Sequence, residues 1–151
     1  MSEKSLLNKQ LASLLTGEHN LIANLANASA LLMQSLTDIN WAGFYLFSKT
    51  DDELILGPFQ GKVACMHIKI GNGVCGTAAA QRQTLIVDDV QQFKGYIACD
   101  SAAKSELVIP LLKGDQLLGV LDLDSPIKKR FNSTLANELE EFCRVLVKTI
   151  D

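Results

Sequence analysis

The stretch E-L-V-I-P-L-L-K-G-D-Q-L-L-G-V-L-D-L-D-S, residues 106–125, is the strongest structural signal in this chain of 151 residues. Its two apolar runs predict strands over residues 106–112 and 116–123. Lys113-Gly114-Asp115 separates the runs and supplies the short, glycine-containing turn of a β-hairpin. Strands joined by so short a turn pair antiparallel, so the hairpin predicts an antiparallel sheet.

Outside the hairpin, the sequence predicts helices at both ends and shorter elements between them. Helical spacing of leucines indicates helices over residues 4–15 and 18–36. A final helix follows the N-cap candidates Asn132, Ser133 and Thr134 and ends near Ile150. Further strands are predicted at 41–48, 53–56, 64–70 and 84–87, with a short helix at 74–81. This pattern indicates an α+β fold whose central antiparallel sheet of about six strands carries the terminal helices on one face.

A long segment without periodicity, residues 90–105, precedes the hairpin and contains Cys99. Loops of this length inside a compact domain are usually lids or binding loops. We expect this loop and the short helix, which begins near Cys75, to cover a ligand pocket on the other face of the sheet. Cys75 and Cys99 should therefore lie near each other. Residues 1–151 show no linker and no internal repeat, and are expected to form a single domain.

The composition indicates a globular protein and argues against several classes of partner. A net charge of −3 and a pI near 5.3, without a basic stripe, argue against nucleic acid. The N-terminal residues lack the pattern of a signal peptide, and no apolar run reaches the ~18–20 residues that span a bilayer. We therefore expect a soluble, cytoplasmic protein without a membrane partner, in which any disulfide is transient and serves catalysis or sensing.

Three of the four cysteines, Cys65, Cys75 and Cys99, lie in settings rich in glycine, alanine or turn residues rather than in apolar runs. Thiols in loops and at helix starts can ionise and attack, whereas a free cysteine is commonly a small buried hydrophobe. Both interpretations stay open for these three. Cys75 is predicted in the first turn of a helix, where the helix dipole lowers the pKa of a thiol. Cys143 lies on the apolar face of the last helix and is assigned to the core.

A metal or nucleotide site has little support in the sequence. Structural zinc sites favour close cysteine pairs, and no C-x2-C pair occurs. Cys65 and His67 are close to each other but do not provide a ligand set, and we expect His67 on the solvent face of the sheet. The glycine motif at residues 71–76 lacks the spacing of a P-loop or a dinucleotide fingerprint. We therefore expect neither a metal nor an organic cofactor.

Three acids are candidates for a place in the predicted pocket. Asp122 and Asp124 are two residues apart on one strand, so their side chains share a face of the sheet. Like charges at this spacing repel unless a cation lies between them or one is protonated, although a pair at a strand end could also simply be solvated. Glu106 begins the hairpin directly after the cysteine-containing loop. Three converging acids would suit a substrate ammonium group, or the protonation of a leaving oxygen.

Trp41 and Tyr45 lie four residues apart on a predicted strand, so their side chains point to the same face. Such a pair usually belongs to the core. The alternative is an aromatic wall that contacts an apolar group of a small ligand. The sequence leaves both interpretations open.

Five short motifs follow one another between residues 40 and 131. They are N-W-A-G-F-Y-L (40–46), L-G-P-F-Q-G-K-V-A-C (56–65), G-N-G-V-C-G-T-A-A (71–79), I-A-C-D-S-A-A-K-S-E-L-V-I-P (97–110) and G-V-L-D-L-D-S-P (119–126). In this order, and with three matching cysteine positions, the chain resembles the free methionine-(R)-sulfoxide reductases, a family built on the GAF domain. A generic GAF sensor domain would not share these cysteines. Lys94 and Tyr96 stand where the family often has proline and histidine.

The resemblance implies a GAF-like fold and the reduction of free L-methionine-(R)-sulfoxide to methionine, with thioredoxin as the reductant. The positions that match the family's thiols and pocket are Cys65, Cys75 and Cys99, the acids Glu106, Asp122 and Asp124, and Trp41 in the wall that receives the methyl group, with Tyr45 beside it. A homodimer is compatible with the sequence, which does not determine the assembly.

The resemblance also implies a mechanism. A thiolate attacks the sulfoxide sulfur while an acid protonates its oxygen, which leaves a sulfenic acid on the enzyme. A second thiol then forms a disulfide, which an external dithiol reduces. Cys99 is the favoured nucleophile, with Cys65 or Cys75 resolving, but the helix start keeps Cys75 as an alternative nucleophile. In this mechanism Glu106 is the candidate proton donor, and the aspartate pair holds the substrate ammonium.

The competing function is a non-catalytic GAF module that binds a ligand or senses redox state.

Overall fold

The predicted hairpin forms two neighbouring strands of the computed structural model, which describes residues 5–99 and 101–150. Within these residues the strands are β1 (Trp41–Ser48), β2 (Glu53–Gln60), β3 (His67–Lys69), β4 (Leu85–Val87), β5 (Ser105–Lys113) and β6 (Gln116–Ser125). The helices are α1 (Leu6–Leu15), α2 (Leu21–Ser35), α3 (Gly73–Gln81) and α4 (Ser133–Val147). The strands pair antiparallel in the order β3-β2-β1-β6-β5-β4. The predicted α+β class and six-stranded antiparallel sheet are confirmed.

Alternation of side chains along the central strands divides the sheet into two faces. Ala42 and Phe44 of β1 belong to the larger core, which α1, α2 and α4 form with one face of the sheet. Cys143 of α4 is part of this core and only 4% exposed, which confirms its predicted place. Trp41 and Tyr45 point to the other face, where α3 packs. The terminal helices therefore cover one face, as predicted, and leave the other face for the site.

Polar side chains determine where two of the helices begin. Asn20 accepts a hydrogen bond from the backbone N–H of Ala23, so α2 begins at Leu21 rather than at residue 18. Asn132 accepts from the N–H of Leu135 and is the N-cap among the three candidates before α4. The predicted first helix starts at residue 4, which lies outside the described residues. None of the helices that the structure describes combines the length and apolar character needed to cross a bilayer.

Of the described strands, β1 has its predicted bounds, β4, β5 and β6 differ by one or two residues at an end, and β2 and β3 differ more. β2 runs to Gln60 instead of ending at residue 56, and so continues past Pro58. The register between β1 and β2 shifts between Gly43 and Tyr45, opposite residues 57 and 58, so the N–H that proline lacks is not needed in the ladder. β3 is shorter than the predicted run of residues 64–70 because it pairs with only three residues of β2.

The loop of residues 90–105 is anchored at both ends. It begins with a short 3₁₀ turn, Val90–Gln92, and the N–H of Val90 donates to the carbonyl oxygen of Lys104 at 2.9 Å. The N–H of Lys104 in turn donates to the carbonyl oxygen of Ser125 at 2.7 Å, at the end of β6. The described part of the loop therefore crosses the face opposite the terminal helices, as predicted.

Candidate active site

A pocket lies between the central strands, α3 and the loop, on the face that the terminal helices leave open. Its walls include most of the predicted site residues: Trp41, Tyr45, Cys75, Cys99, Glu106, Asp122 and Asp124. The predicted neighbourhood of Cys75 and Cys99 is therefore confirmed. Cys65 does not line the pocket, but it is bonded to Cys99, which does, and its neighbour Ala64 also lines the pocket.

Strand register explains how the three acids come together. Glu106 of β5 pairs with Asp124 of β6, and Trp41 of β1 pairs with Asp124 from the other side. Two residues earlier on β6, Asp122 lies opposite Gly43. Since alternate residues of a strand share a face, all three carboxyl groups and the Trp41 ring point into the pocket. The predicted common face of the two aspartates is confirmed.

The three acids are buried, and burial affects the protonation of Glu106. Glu106, Asp122 and Asp124 are 6%, 5% and 7% exposed, so the alternative of a solvated pair at a strand end is wrong. Burial raises the pKa of Glu106 well above its ordinary value, and the neighbouring Asp122 and Asp124 raise it further. A hydrogen bond between Glu106 and Asp122 acts in the same direction. The pocket thus holds an acid that keeps its proton to higher pH than an ordinary glutamic acid, beside two aspartates. This arrangement can donate a proton and bind a cation.

Cys65 and Cys99 form a disulfide, with their Cα atoms 5.3 Å apart. The bond links the loop to the segment before β3, over a sequence separation of 34 residues. Cys75 and Cys143 are free thiols. Of the three thiols that the sequence singled out, the fold therefore pairs Cys65 with Cys99 and leaves Cys75 as a separate member of the pocket.

Cys75 lies in the first turn of α3, as predicted, but its pKa is not lowered. Burial raises the pKa of this thiol well above its ordinary value, and Asp122 and Glu106 raise it further. Its Sγ donates a hydrogen bond to Glu106 Oε2 at 3.8 Å. A charge at a helix terminus gains typically about 0.3–1 kcal/mol, which does not offset complete burial beside acids. The predicted lowering is wrong, and Cys75 remains a protonated thiol.

Trp41 is the centre of an aromatic stack. Its ring lies 5.8 Å from that of Tyr45 and 5.1 Å from that of Phe59, and its Nε1 donates to the carbonyl oxygen of Lys62 at 3.0 Å. At Gly61, whose φ is +136°, a Cβ would lie 2.5 Å from the indole Cδ1, so the stack needs glycine there. Trp41 and Tyr45 are thus core residues that also form a pocket wall. Phe59 and Gly61 were missed, although both lie in a motif quoted for the resemblance.

The loop adds residues that sequence reasoning did not assign to the site. Tyr96 and Ile97 line the pocket with Cys99. Ile97 packs closely on the first residue of α3, because a Cβ at Gly73 would lie 3.1 Å from Ile97 Cδ1. The reductase family often has histidine at the position of Tyr96, and this departure could have pointed to the residue. Nothing in the sequence singled out Ile97 as a site residue.

The donor set of the pocket would accept a compact cation. Among the described residues, Cys75, Glu106 and Asp122 each place one ligand atom within 4.8 Å of the others. An ammonium group is such a cation and needs hydrogen-bond acceptors, which aspartates provide. The Cys65–His67 pair is no metal site, since Cys65 is in a disulfide and the His67 side chain is 62% exposed. The predicted solvent exposure of His67 is confirmed.

Comparisons with known proteins agree with this geometry. The sequence matches the GAF domain family over residues 23–151. It is 51% identical over 145 residues to the free methionine-R-sulfoxide reductase of Escherichia coli (strain K12), which covers 96% of this chain and 84% of that protein. The fold is similar to that of fRMsr of Staphylococcus aureus in complex with substrate, with a TM-score of 0.90, 51% identity and coverage of 99% of this chain and 97% of the other. It is also similar to the free methionine-R-sulfoxide reductase of Neisseria meningitidis in complex with its substrate, with a TM-score of 0.91, 39% identity and coverage of 99% and 92%.

Proposed function

The chain belongs to the GAF domain family and to the free methionine-R-sulfoxide reductases, and from this premise we propose that its thiols reduce free L-methionine-(R)-sulfoxide to L-methionine. The observation that carries the proposal is the Cys65–Cys99 disulfide at the edge of a pocket with three buried acids. A module that only binds a ligand needs no redox-active thiol pair at its pocket. Thiols, rather than a metal or an organic cofactor, supply the electrons.

Cys99 is the proposed nucleophile, because it lines the pocket with Glu106 whereas Cys65 does not. Its thiolate attacks the sulfur of the sulfoxide, and Glu106 gives a proton to the oxygen. The oxygen ends on Cys99 as a sulfenic acid, and the substrate sulfur gains two electrons to become the thioether of methionine. Cys75, kept protonated by burial, is not the nucleophile in this proposal; its hydrogen bond holds the carboxyl of Glu106 in place.

Cys65 is the proposed resolving thiol. It condenses with the sulfenic acid of Cys99, which forms the disulfide and releases water. The Cα separation of 5.3 Å supports this pairing, because it lies in the range that a disulfide requires. A dithiol protein such as thioredoxin then returns two electrons to the pair.

Asp122 and Asp124 are proposed to bind the substrate ammonium, and the Trp41–Tyr45 wall to receive the methyl group. Carboxylate oxygens accept hydrogen bonds from an ammonium group, which a free amino acid brings into the pocket. A methionine sulfoxide inside a peptide has a neutral amide nitrogen and cannot make this charge-assisted interaction. The proposal therefore includes selectivity for the free amino acid.

The remaining expectations belong to the same proposal. A catalytic disulfide must be reopened at each turnover, which favours a reducing compartment such as the cytoplasm. A single sheet organises the described residues, which supports one domain over residues 1–151. A homodimer is the expected assembly, and light scattering of the purified protein measures it.

A coupled assay tests the proposed reaction. The purified protein is mixed with thioredoxin, thioredoxin reductase and NADPH, and NADPH consumption is followed after addition of free methionine-(R)-sulfoxide. The S epimer and a peptide that contains methionine sulfoxide are the controls. We expect turnover with the free R epimer alone. Binding of the R epimer without any reduction by the pre-reduced protein would instead establish a non-catalytic GAF module.

A further inference from the structure

Exposed apolar side chains flank the disulfide on the side of Cys65. Val63 is 88% exposed and Met66 is 68% exposed, and both lie within two residues of Cys65. Neither residue lines the pocket, so substrate binding does not explain their exposure. Large apolar side chains gathered at one functional point commonly mark an interaction surface. We define Val63, Cys65 and Met66 as the Cys65 patch.

The residues that neighbour the two disulfide cysteines in the sequence carry a charge opposite to that of the whole chain. Within five residues of Cys65 or Cys99 the sequence has four lysines and one acid, Asp100, a net charge of +3 in a chain of net charge −3. All four lysines, namely Lys62, Lys69, Lys94 and Lys104, are exposed. Glu53, on the neighbouring strand, contacts His67 Nδ1 at 2.7 Å. An apolar centre with a basic surround is complementary to an apolar partner surface with an acidic surround.

We propose that the Cys65 patch is the docking surface for the protein that reopens the disulfide, an acidic dithiol protein with apolar residues around its reactive thiol, and that this thiol attacks the sulfur of Cys65. This inference rests on the proposed function, which requires a reductant at every turnover. Attack from the patch is favoured because Cys99 lines the substrate pocket, whereas Cys65 does not and lies beside two exposed apolar residues.

The exchange balances in two steps. The partner thiolate bonds to Sγ of Cys65, the Cys65–Cys99 bond breaks, and Cys99 leaves as a thiolate ready for the next substrate. The second thiol of the partner then attacks the mixed disulfide and releases the Cys65 thiol. The partner is oxidised to a disulfide, and this protein gains two electrons and one proton, which stays on Cys65 while Cys99 is a thiolate.

Glutamate substitutions in the patch test the docking surface. The double variant Val63→Glu, Met66→Glu is compared with Ile22→Glu, which changes a similarly exposed residue (70%) on α2. The oxidised proteins are reduced either by thioredoxin with thioredoxin reductase and NADPH, or by dithiothreitol. We expect kcat/KM for thioredoxin to fall at least about tenfold in the double variant alone, because charges at the centre of an interface are poorly tolerated. Reduction by dithiothreitol and the single-turnover reduction of substrate should be unchanged.

A trapping experiment tests the point of attack. Thioredoxin in which the second active-site cysteine is serine forms a stable mixed disulfide, and peptide mapping should locate it on Cys65; a bond to Cys99 would overturn the assignment. Three results would overturn the docking surface. The first is an unchanged rate of reduction by thioredoxin in the double variant, and the second is a loss of rate with dithiothreitol equal to that with thioredoxin. The third is a dimer of this protein that dissociates only when the patch is substituted. Both docking tests start from the preformed disulfide and need no sulfoxide substrate. If the wild-type protein fails to reduce the sulfoxide, that result counts against the proposed function and not against the docking surface.

Discussion

Replacing Glu106 by glutamine perturbs the protonated acid at the centre of the pocket. Glutamine keeps the size of the side chain and its hydrogen-bonding capacity but cannot deliver a proton as a carboxylic acid does. A positioned general acid contributes typically about 10²–10⁴-fold to a rate. We therefore expect the single-turnover rate of pre-reduced Glu106→Gln to fall about a hundredfold or more, with the substrate still bound.

The same substitution should change how stability depends on pH. The usual pKa of a glutamic acid is near 4.5, whereas burial and two neighbouring aspartates hold the pKa of folded Glu106 well above it. Between these two values the folded state binds more protons than the unfolded state, so the free energy of unfolding decreases as pH rises. One proton corresponds to about 1.36 kcal/mol per pH unit. Glutamine does not titrate, so the variant should gain stability relative to the wild type by up to this amount per unit, until the folded pKa is reached.

Urea unfolding of the oxidised proteins measures this effect, for example at about pH 5.5, 6.5 and 7.5. Glu18→Gln is the matched control, because Glu18 is exposed before α2 and its substitution should leave the pH dependence unchanged. A difference in unfolding free energy between wild type and Glu106→Gln that does not vary with pH would refute a raised pKa. An unchanged single-turnover rate would refute the role of proton donor.

Three other substitutions have distinct expected outcomes. Cys99→Ser should abolish the first reduction, whereas Cys65→Ser should complete one turnover and accumulate a sulfenic acid that a dimedone probe labels; the reverse pattern would exchange the two roles. Asp122→Asn should raise KM for the free amino acid at least about tenfold while affecting kcat less, because a buried charge partner of the ammonium is lost; an unchanged KM in initial-rate kinetics would argue against ammonium binding there. Gly61→Ala should destabilise the fold by about 1–3 kcal/mol in urea unfolding, since the residue has φ of +136° and its Cβ would meet the Trp41 ring; a loss below about 0.5 kcal/mol would show that the stack relaxes.

The parts of the fold predicted correctly are those that depend on local pattern. The β5–β6 hairpin followed from two apolar runs around a glycine turn, and the period of two in a strand put Asp122 and Asp124 on one face. The helical period placed Cys143 in the core. β2 was predicted too short. A strand can continue through a proline where the residue at that position does not need to donate an N–H to the neighbouring strand. That condition depends on the register shift opposite Pro58, which involves residues on another strand.

The site shows the same division between local and distant effects. The sequence identified the thiols and acids of the site, and the resemblance supplied their roles. The sequence did not identify which two thiols pair or how the side chains are protonated. Cys75 illustrates the limit: its helix start is a local feature and predicts a lowered pKa, whereas burial and the carboxyl groups of β5 and β6 raise it. The acids that outweigh the helix dipole lie more than thirty residues away in the sequence.

Residue order and periodicity alone therefore establish the antiparallel hairpin, the shared face of the aspartates and the unusual settings of three cysteines. Three-dimensional packing was required to pair Cys65 with Cys99, to bury Glu106 between two aspartates, and to expose Val63 and Met66 beside the disulfide. The physical reason is that periodicity depends on neighbours along the chain. Disulfide reach, desolvation and surface exposure depend instead on which distant segments the fold brings together.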